Sequence, residues 1–366
     1  MHALRLGIRL PMLLGAMALA TGIAAQEPIK LGIVLPLSGN NGQYVRQYMV
    51  SAIEMAVKET NDKGGVLGRQ VQLVAEDSRY EPAGAVSAFR KLVDVDHVMA
   101  VFTGFTPLTL PQIPVAEEKR VILIAPATEH PDFTRSRWTL RMTPTSDKSG
   151  TKAAQLAQGL GMKTAVIVAE DNESIRLTVR AFEAEFERSG GKVLGSETFK
   201  ASDNDVRGQL TKLRAARADT MWVATSTGRP MAMVIKQMGE VGLRVKQVIT
   251  NHLIEDKEVR SAGLPMIEGI VYTTLKLDPA FSPRFKAIYG YEPDSNVGKH
   301  YDATMILMEA IRRARSADPE LVRDALYAFG DYAGVLGTFR FNGSGEPGIL
   351  PAARTIKGGQ FVDYVQ

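Results

Sequence analysis

Two short apolar runs on either side of one helix-length segment constrain the fold of this chain most strongly. The runs are Val98–Thr103 and Val121–Ala127, and the segment between them has the size that a right-handed strand–helix–strand crossover requires. After the first run, Thr106 is predicted to cap a helix that begins at Pro107. Because the carboxyl ends of parallel strands meet at one edge of a sheet, the loops after both runs are expected to open onto one ligand-binding crevice.

Strand and helix patterns alternate along the rest of the chain in two similar α/β units. Further strands are predicted at 29–37, 71–76, 164–169, 193–199, 220–224, 247–250 and 269–274. Helices are predicted at 43–61, 83–93, 147–160, 175–189, 205–216, 230–241 and 297–315, and short glycine-punctuated β segments follow residue 335. The order of elements predicts an α/β fold of two doubly wound parallel-sheet lobes.

The first 25 residues have the pattern of a cleaved secretory signal. Arg5 and Arg9 precede an apolar run from Leu10 to Ala20, and small residues lead up to Ala25. The run is shorter than a membrane-spanning helix, so the remaining protein is expected in the periplasm. The chain contains no cysteine and therefore lacks the residue that lipid attachment after such a signal requires, so we expect a soluble protein that is not lipid-anchored.

Composition and motifs argue against nucleic-acid binding, metal chemistry and catalysis. Loss of Arg5 and Arg9 lowers the formal charge from +4 to +2, and no basic tract is present. The five histidines have no metal-ligand spacing, and no HExxH, GxSxG or P-loop motif occurs. The segment Gly343–Gly348 formally matches GxGxxG, but Pro347 interrupts any helix there, so a hairpin turn is predicted. We expect no cofactor, no metal site and no enzymatic activity.

Three sequence blocks in order resemble the Leu/Ile/Val-binding proteins of bacterial ABC importers, the type I periplasmic binding proteins. The blocks are IKLGIVLPLSGNNGQY, NDKGGVLGRQVQLVAEDSRYEPAGA and PVAEEKRVILIAPATEHPDFT. The resemblance covers essentially the whole chain after the signal. It implies two lobes joined by a three-strand hinge, with residues 27–143 and 275–337 in lobe 1 and residues 144–274 and 338–366 in lobe 2. The crossings would fall near Thr143, Thr274 and Phe339.

In the first lobe the resemblance implies contacts with the polar head of a ligand. Tyr44 matches the family's loop tyrosine. Thr106, with Gly104 and Phe105 beside it, matches the hydroxyl residue that receives the ligand carboxylate at a helix N-terminus, where unpaired N–H groups favour an anion. Ala127 matches the backbone carbonyl that binds an ammonium group. Thr128 follows, and Glu129 replaces the family's threonine.

In the second lobe the match departs from the family pattern. Ser174 and Thr227 stand where the family has an aromatic residue and a second tyrosine. Asn251, with His252 beside it, stands at the position of the acid that pairs with the ligand's ammonium group. Asn296 occupies another aromatic wall position. These changes leave room for a ligand larger than leucine, and an α-amino acid then requires Glu129 to take over the ammonium group.

The sequence therefore predicts a solute-binding subunit that captures a small carboxylate-bearing solute, such as an amino acid, and delivers it to a membrane permease. One alternative is a binder of aromatic or dicarboxylic acids, in which Arg79, Arg176 or Arg229 clamps a second carboxylate. Another is a ligand-sensing regulator of the same fold. An enzyme would need a nucleophile–base pair or a metal set, and none can be assembled from the sequence.

Overall fold

The computed structural model describes residues 26–39, 42–341, 343 and 345–364. The predicted signal, residues 1–25, lies outside these ranges. The described chain forms two lobes, each built on its own sheet, and a separate two-stranded hairpin.

The sheet of the first lobe has five parallel strands in the order β2–β1–β3–β4–β5. The strands are β1 Ile29–Leu35, β2 Val71–Asp77, β3 Ala100–Thr103, β4 Ile122–Ile124 and β5 Thr139–Leu140. Strands β3 and β4 are direct neighbours, with Ala100 opposite Ile122. The crossover predicted from the two apolar runs is therefore present, and the loops that follow β3 and β4 leave the sheet at the same edge.

The sheet of the second lobe has seven strands in the order β14–β13–β10–β9–β8–β6–β7. The strands are β6 Thr164–Glu170, β7 Lys192–Phe199, β8 Thr220–Ala224, β9 Gln247–Asn251, β10 Val271–Thr274, β13 Ala352–Lys357 and β14 Gln360–Asp363. Strands β6 to β10 pair in parallel, whereas β13 and β14 add an antiparallel edge. The β segments predicted after residue 335 are these two strands and β12 Gly337–Arg340. Strand β12 pairs in a hairpin with β11 Asp331–Gly334, which was not predicted.

Helices connect the strands in both lobes. The α-helices are α1 Gly42–Tyr44, α2 Ser51–Asp62, α3 Pro82–Asp94, α4 Thr106–Thr109, α5 Ile113–Lys119, α6 Ser146–Gly159, α7 Glu173–Arg188, α8 Arg207–Ala215, α9 Gly228–Glu240, α10 Lys257–Ser261, α11 Phe281–Tyr289, α12 Ser295–Ala314 and α13 Pro319–Tyr327. A π-helical segment, Val45–Val50, joins α1 to α2. A 3-10 turn, Leu110–Gln112, joins α4 to α5, so the chain is helical from Thr106 to Lys119. Further 3-10 turns are Pro131–Arg135, His252–Glu255 and Leu264–Met266.

The hydrophobic cores indicate where the chain crosses between lobes. Met142 and Leu275 pack in the core of the first lobe, together with Phe339, Phe341 and Ile349. The next element, β13, belongs to the second sheet. We place the crossings at 143–145, 274–275 and 350–351. The third crossing thus comes after the predicted position near Phe339, because the aromatic side chains of the β11–β12 region pack together in the first lobe.

The segment that matches GxGxxG turns back on itself. Phe341 pairs with Pro347 in an antiparallel bridge, and Gly348 donates its N–H to the carbonyl of Arg340 at 2.8 Å. Residues 342 and 344 lie outside the described ranges. The predicted hairpin turn is confirmed.

Among the helices that the structure describes, none combines the length and the apolar character needed to cross a membrane.

Candidate functional site

A cavity of about 50 Å³ lies where the two lobes and the crossing segments meet. Its volume exceeds the share of one water molecule in the liquid, about 30 Å³, and has room for a carboxylate-sized group. Three predicted site residues, Glu129, Asn251 and His252, line it. The other lining residues are Thr143, Pro144, Ser149, Ile175, Thr178, Trp222, Ala224, Thr273, Thr274, Leu275, Lys299 and Pro351. The structure therefore brings Glu129 of the first lobe to Asn251 and His252 of the second.

Lys299 of helix α12 supplies a buried positive charge to this cavity. The residue is 2% exposed, and burial lowers its pKa, which the carboxylates of Glu129 and Asp294 raise in turn. The ammonium group donates one recorded hydrogen bond, to Asn296 Oδ1 at 3.2 Å. Among the described residues it forms no ion pair, so its charge is only partly compensated.

A chain of hydrogen bonds holds Lys299 in place. The hydroxyl of Tyr44 donates to Asp294 Oδ2 at 2.5 Å and accepts from Asn296 Nδ2 at 2.6 Å. This contact fixes the orientation of the Asn296 amide, so that Oδ1 faces the ammonium group of Lys299. Asp294 also caps α12 by accepting from the N–H groups of Asn296 and Val297. The structure thus brings Tyr44 and Asn296 together, and both act on the position of Lys299.

Glu129 is the acidic member of the cavity. Burial raises the pKa of its carboxyl, and Lys299 is the largest of the opposing influences, followed by a hydrogen bond from Ser149. The backbone carbonyl of Glu129 accepts from the N–H and hydroxyl of Ser146, at 2.9 and 3.1 Å. Ser146 begins α6 of the second lobe, so Glu129 is anchored directly at the first crossing.

Asn251 and His252 face Glu129 from the second lobe. Asn251 donates from Nδ2 to the carbonyl of Thr225 at 2.7 Å and accepts from the N–H of Leu253 at 3.3 Å. Burial and the charge of Lys299 lower the pKa of His252 well below its usual value, so its imidazole is neutral at pH 7. No hydrogen bond of that imidazole to a described residue is recorded, and its ring nitrogens are available to a ligand.

The prediction that Thr106 caps a helix is wrong. Phe105 is the N-cap, with φ of 66°, and Thr106 is the first helical residue. The left-handed turn at Phe105, which follows Gly104 at the end of β3, starts the helix one residue early. Within the described chain, neither the hydroxyl nor the N–H of Thr106 has a recorded hydrogen-bond partner. Both donors therefore remain free at the N-terminal end of a continuous helical segment.

The loop after β4 lies beside this helix start. The hydroxyl of Thr128 is 3.3 Å from that of Thr109 in α4, which ties the two loops together. In the described part of the chain no hydrogen bond to the carbonyl of Ala127 is recorded. Thr106 and Ala127 follow strands that end at the same edge of the first sheet, so the free donors of Thr106 and the free acceptor of Ala127 lie at that edge. Neither residue lines the 50 Å³ cavity.

Ser174 and Thr227 occupy helix starts in the second lobe. The hydroxyl of Ser174 lies 3.0 Å from that of Ser146, which connects it to the Glu129 carbonyl. Thr227 is the N-cap of α9 without a side-chain capping bond, and its carbonyl accepts from the hydroxyl of Thr225. Neither residue lines the cavity. Their roles as ligand contacts stay predictions.

The two lobes also touch outside the cavity. His130 Nε2 of the first lobe lies 3.5 Å from Glu173 Oε1 of α7. Lys257 of α10 donates to Gln47 Oε1 at 3.4 Å. These two long polar contacts link the lobes across the cleft.

The three arginines considered as clamps for a second carboxylate point elsewhere. Arg79, Arg176 and Arg229 are exposed. Arg176 pairs with Asp171 at 2.7 Å, and Arg229 donates to Asn204. None of the three lines the cavity. The cation at the cleft floor is Lys299, which motif matching missed. No sequence signal marked it, because only the fold shows that it lies in a helix whose residues from 295 to 304 are all buried, a place where lysine is rare.

Comparison with known proteins identifies the family. The family model described as periplasmic binding protein matches residues 28–352. The chain belongs to the periplasmic binding protein family. A Leu/Ile/Val-binding protein homolog of Brucella abortus is 27% identical over 343 residues, which are 91% of each chain. The prediction of a binding protein rather than an enzyme is confirmed by this membership.

Solved structures confirm the type I periplasmic binding protein fold. LivJ of Streptococcus pneumoniae, a branched-chain amino acid transporter substrate-binding protein in complex with isoleucine, superposes with a TM-score of 0.82 at 21% identity, over 91% of this chain and 97% of LivJ. An ABC transporter solute-binding protein of R. palustris in complex with benzoate superposes with a TM-score of 0.83 at 21% identity, over 92% of this chain and 95% of that protein. At these identities the likeness concerns the fold.

Proposed function

We propose that this periplasmic binding protein is the extracytoplasmic solute-binding subunit of an ABC importer. It captures a small carboxylate-bearing solute in the cleft between its lobes and delivers it to a membrane permease. The observation that carries the proposal is the cavity shared by both lobes, in which a buried lysine and a partly buried glutamate lie opposite Asn251 and His252.

The polar head of the solute is assigned to the first lobe. Thr106 offers a hydroxyl and an unpaired N–H at a helix start, which suits a carboxylate because the helix dipole favours negative charge there. The carbonyl of Ala127 and the carboxylate of Glu129 suit an ammonium group. Asn251 and His252 close the site from the second lobe, and Ser174 and Thr227 border it.

Binding is coupled to the closure of the lobes. A solute that contacts both lobes stabilises the closed arrangement by its differential contacts in the two states. The predicted signal and the family together support a periplasmic location. Names of relatives support the transport role: the Brucella protein is called a Leu/Ile/Val-binding protein homolog, and the LivJ structure contains isoleucine.

Acids without an amine are a second candidate class of solute. The observation that favours them is Lys299, because a buried ammonium group at the cleft floor suits a carboxylate and requires no ammonium on the solute. The benzoate complex of the R. palustris protein is an example of an acid bound on this fold.

A thermal-shift screen tests the proposed function. The protein, unfolded and refolded to remove bound solute, is screened against amino acids, aromatic acids and dicarboxylates. A ligand at a hundred times its dissociation constant adds about 2.7 kcal/mol, and in large domains each kcal/mol raises the midpoint by roughly 2–4 °C. The expected result is a shift of several degrees with at least one class. No shift with any class would contradict the proposal.

The Glu129→Gln variant separates the two classes of solute. If the solute is an amino acid, the variant loses the shift, because the carboxylate that binds the ammonium group is gone. If the solute is an acid without an amine, the variant keeps the shift.

A further inference from the structure

Two buried side chains with N–H donors line the 50 Å³ cavity, Lys299 from the first lobe and Trp222 from the second. Lys299 has three N–H donors and one recorded partner, Asn296, within the described chain. A buried ammonium group is unfavourable unless its charge and its donors are satisfied. The remaining donors belong to a side chain that lines the cavity, so an acceptor in that cavity would complete them.

Trp222 of β8 is the second donor. Its side chain also lines the cavity and is 2% exposed. The indole Nε1–H is buried and has no hydrogen-bond partner among the described residues. The ring itself is held by stacking on Phe182, with centroids 4.4 Å apart. Buried orphan donors are rare in native proteins, and here one of them belongs to a side chain that lines the same cavity as the partly satisfied ammonium group of Lys299.

We propose that Lys299 and Trp222 form an anion subsite at the cleft floor, which binds the second carboxylate of a dicarboxylic solute. This inference rests on the proposed function and names the class of its solute. The first carboxylate lies at the start of the helical segment, at Thr106. The second enters the 50 Å³ cavity, where the ammonium group of Lys299 is its counter-ion and the indole of Trp222 its second donor.

The cavity favours an anion over a neutral group for three reasons. Lys299 carries a charge that no ion pair within the described residues neutralises. His252 is uncharged at neutral pH and can donate a further hydrogen bond. Glu129 is the one acid among the described residues that line the cavity, and it already interacts with Ser149 and Thr143.

The second carboxylate can belong to two kinds of solute. In an acidic amino acid, Glu129 would bind the ammonium group. In a dicarboxylic acid without an amine, Glu129 would be held by Ser149 and Thr143. Both share the chemistry that Lys299 recognises, and the experiment separates them.

Isothermal titration calorimetry with isosteric solute pairs tests the subsite. The stripped protein is titrated with glutarate and glutaramate, succinate and succinamate, glutamate and glutamine, and aspartate and asparagine. In each pair a neutral amide replaces one carboxylate. We expect at least one diacid to bind about tenfold or more tightly than its amide, as a charge-assisted hydrogen bond requires. A preference within the amino-acid pairs identifies an acidic amino acid, and one within the other pairs an acid without an amine.

Variants assign the preference to the subsite. Lys299→Gln should reduce the ratio of the two affinities to about one, because the counter-ion is lost. Trp222→Phe keeps the stacking on Phe182 and removes only the indole N–H donor, so it should lower the ratio by a smaller factor. It also provides the test of the subsite if Lys299→Gln does not fold. Lys286→Met is the matched control, since Lys286 pairs with Glu292 at 2.7 Å on the surface, and it should leave the ratio unchanged.

Two results would overturn the subsite and leave the proposed function standing. One is equal binding of diacids and their amides, or binding of monocarboxylates only. The other is a diacid preference that survives in both Lys299→Gln and Trp222→Phe. If no solute of any class binds, the proposed function and the subsite both fail.

Discussion

At the scale of single residues, the region where the two lobes meet combines charges that burial disfavours. Desolvation lowers the pKa of Lys299 and raises the pKa values of Glu129, Asp256 and Asp294. Each of these charges therefore weakens the ligand-free fold at neutral pH to some extent. Groups that destabilise a fold commonly serve its function, and here they surround the contact between the lobes.

Asp256 allows a direct measurement of how much folding stability a buried charge costs. Its carboxyl is 8% exposed, and burial raises its pKa to about 6, with the charge of Asp294 adding to the effect. In the unfolded chain its pKa is about 3.9. Between these two values the folded state holds more protons, so stability falls as the pH rises from about 4 to about 6 and is constant above. The cost at neutral pH is about 3 kcal/mol.

Asp256→Asn removes that cost and keeps the oxygen that accepts from the N–H of Glu258. We expect the variant to melt at the same temperature as the wild type near pH 4. It should melt several degrees higher at pH 7. Thermal unfolding followed by circular dichroism across this range provides the measurement. A difference that does not change with pH would contradict the assignment.

Asp219→Asn is the control, because its effect on stability at neutral pH should have the opposite sign to that of Asp256→Asn. Lys246 and the N–H groups of Lys163 and Thr164 hold the pKa of Asp219 below its usual value. Its charge therefore stabilises the fold at neutral pH, and this stabilisation is lost as the pH falls through the folded pKa. The variant should be less stable than the wild type at pH 7, and the difference should shrink toward low pH.

The residues of the site were predictable only in part. Glu129, Asn251 and His252 line the cavity, and their contact with a ligand, which the resemblance implies, stays a prediction. The role of Asn296 in orienting Lys299 depends on a contact with Tyr44, which lies 252 positions away. Lys299 itself matches no motif, and only the fold shows that it is buried and lines the cavity. The start of α4 was misplaced by one residue because Phe105, unlike glycine, gives no signal of a left-handed turn.

At the scale of elements, close helix packing positions the second-lobe wall of the cavity. Helices α6 and α7 pack tightly because Gly150 has no side chain: a Cβ there would lie 2.1 Å from the carbonyl oxygen of Thr178. Ser149 in α6 and Ile175 and Thr178 in α7 line the cavity. The glycine thus fixes the separation of two helices that face the solute.

Gly150→Ala should force these helices apart. Overpacking of this kind costs about 1–3 kcal/mol, so we expect a lower midpoint of urea unfolding and weaker solute binding. Gly239→Ala is the matched control, since Gly239 also lies in a helix but has open space around the added Cβ. That change should stabilise by up to about 1 kcal/mol. Equal effects of the two substitutions would contradict the packing argument.

Most elements were predictable because their periodicity is strong. The long helices and the strands from β1 to β10 lie where the apolar patterns placed them, within a few residues, except for the two-residue strand β5, which was not predicted. The antiparallel edge of β13 and β14 was predicted only as short β segments. Which strand they pair with, and in which direction, depends on where the chain re-enters the second lobe. The position of the third crossing depends on where Phe339 and Phe341 pack, and local pattern does not reveal this.

At the scale of the whole molecule, the chain crosses three times between two cores, and the candidate cavity lies beside these crossings. Outside them, the polar contacts between the lobes in the described chain include Lys257 with Gln47 and His130 with Glu173. Weak contacts of this kind allow the lobes to separate, and hinge closure then requires stabilisation by the ligand. The account therefore predicts that solute binding and closure occur together.

The most direct test measures closure on solute binding. The chain contains no cysteine, so Gln47→Cys and Lys257→Cys place two unique labelling sites where the lobes meet at 3.4 Å. With pyrene on both, excimer fluorescence reports their proximity. We predict low excimer emission from the stripped protein and a rise that saturates with the solute at the affinity measured by calorimetry. Solute binding without any change in excimer emission would contradict a site between the two lobes.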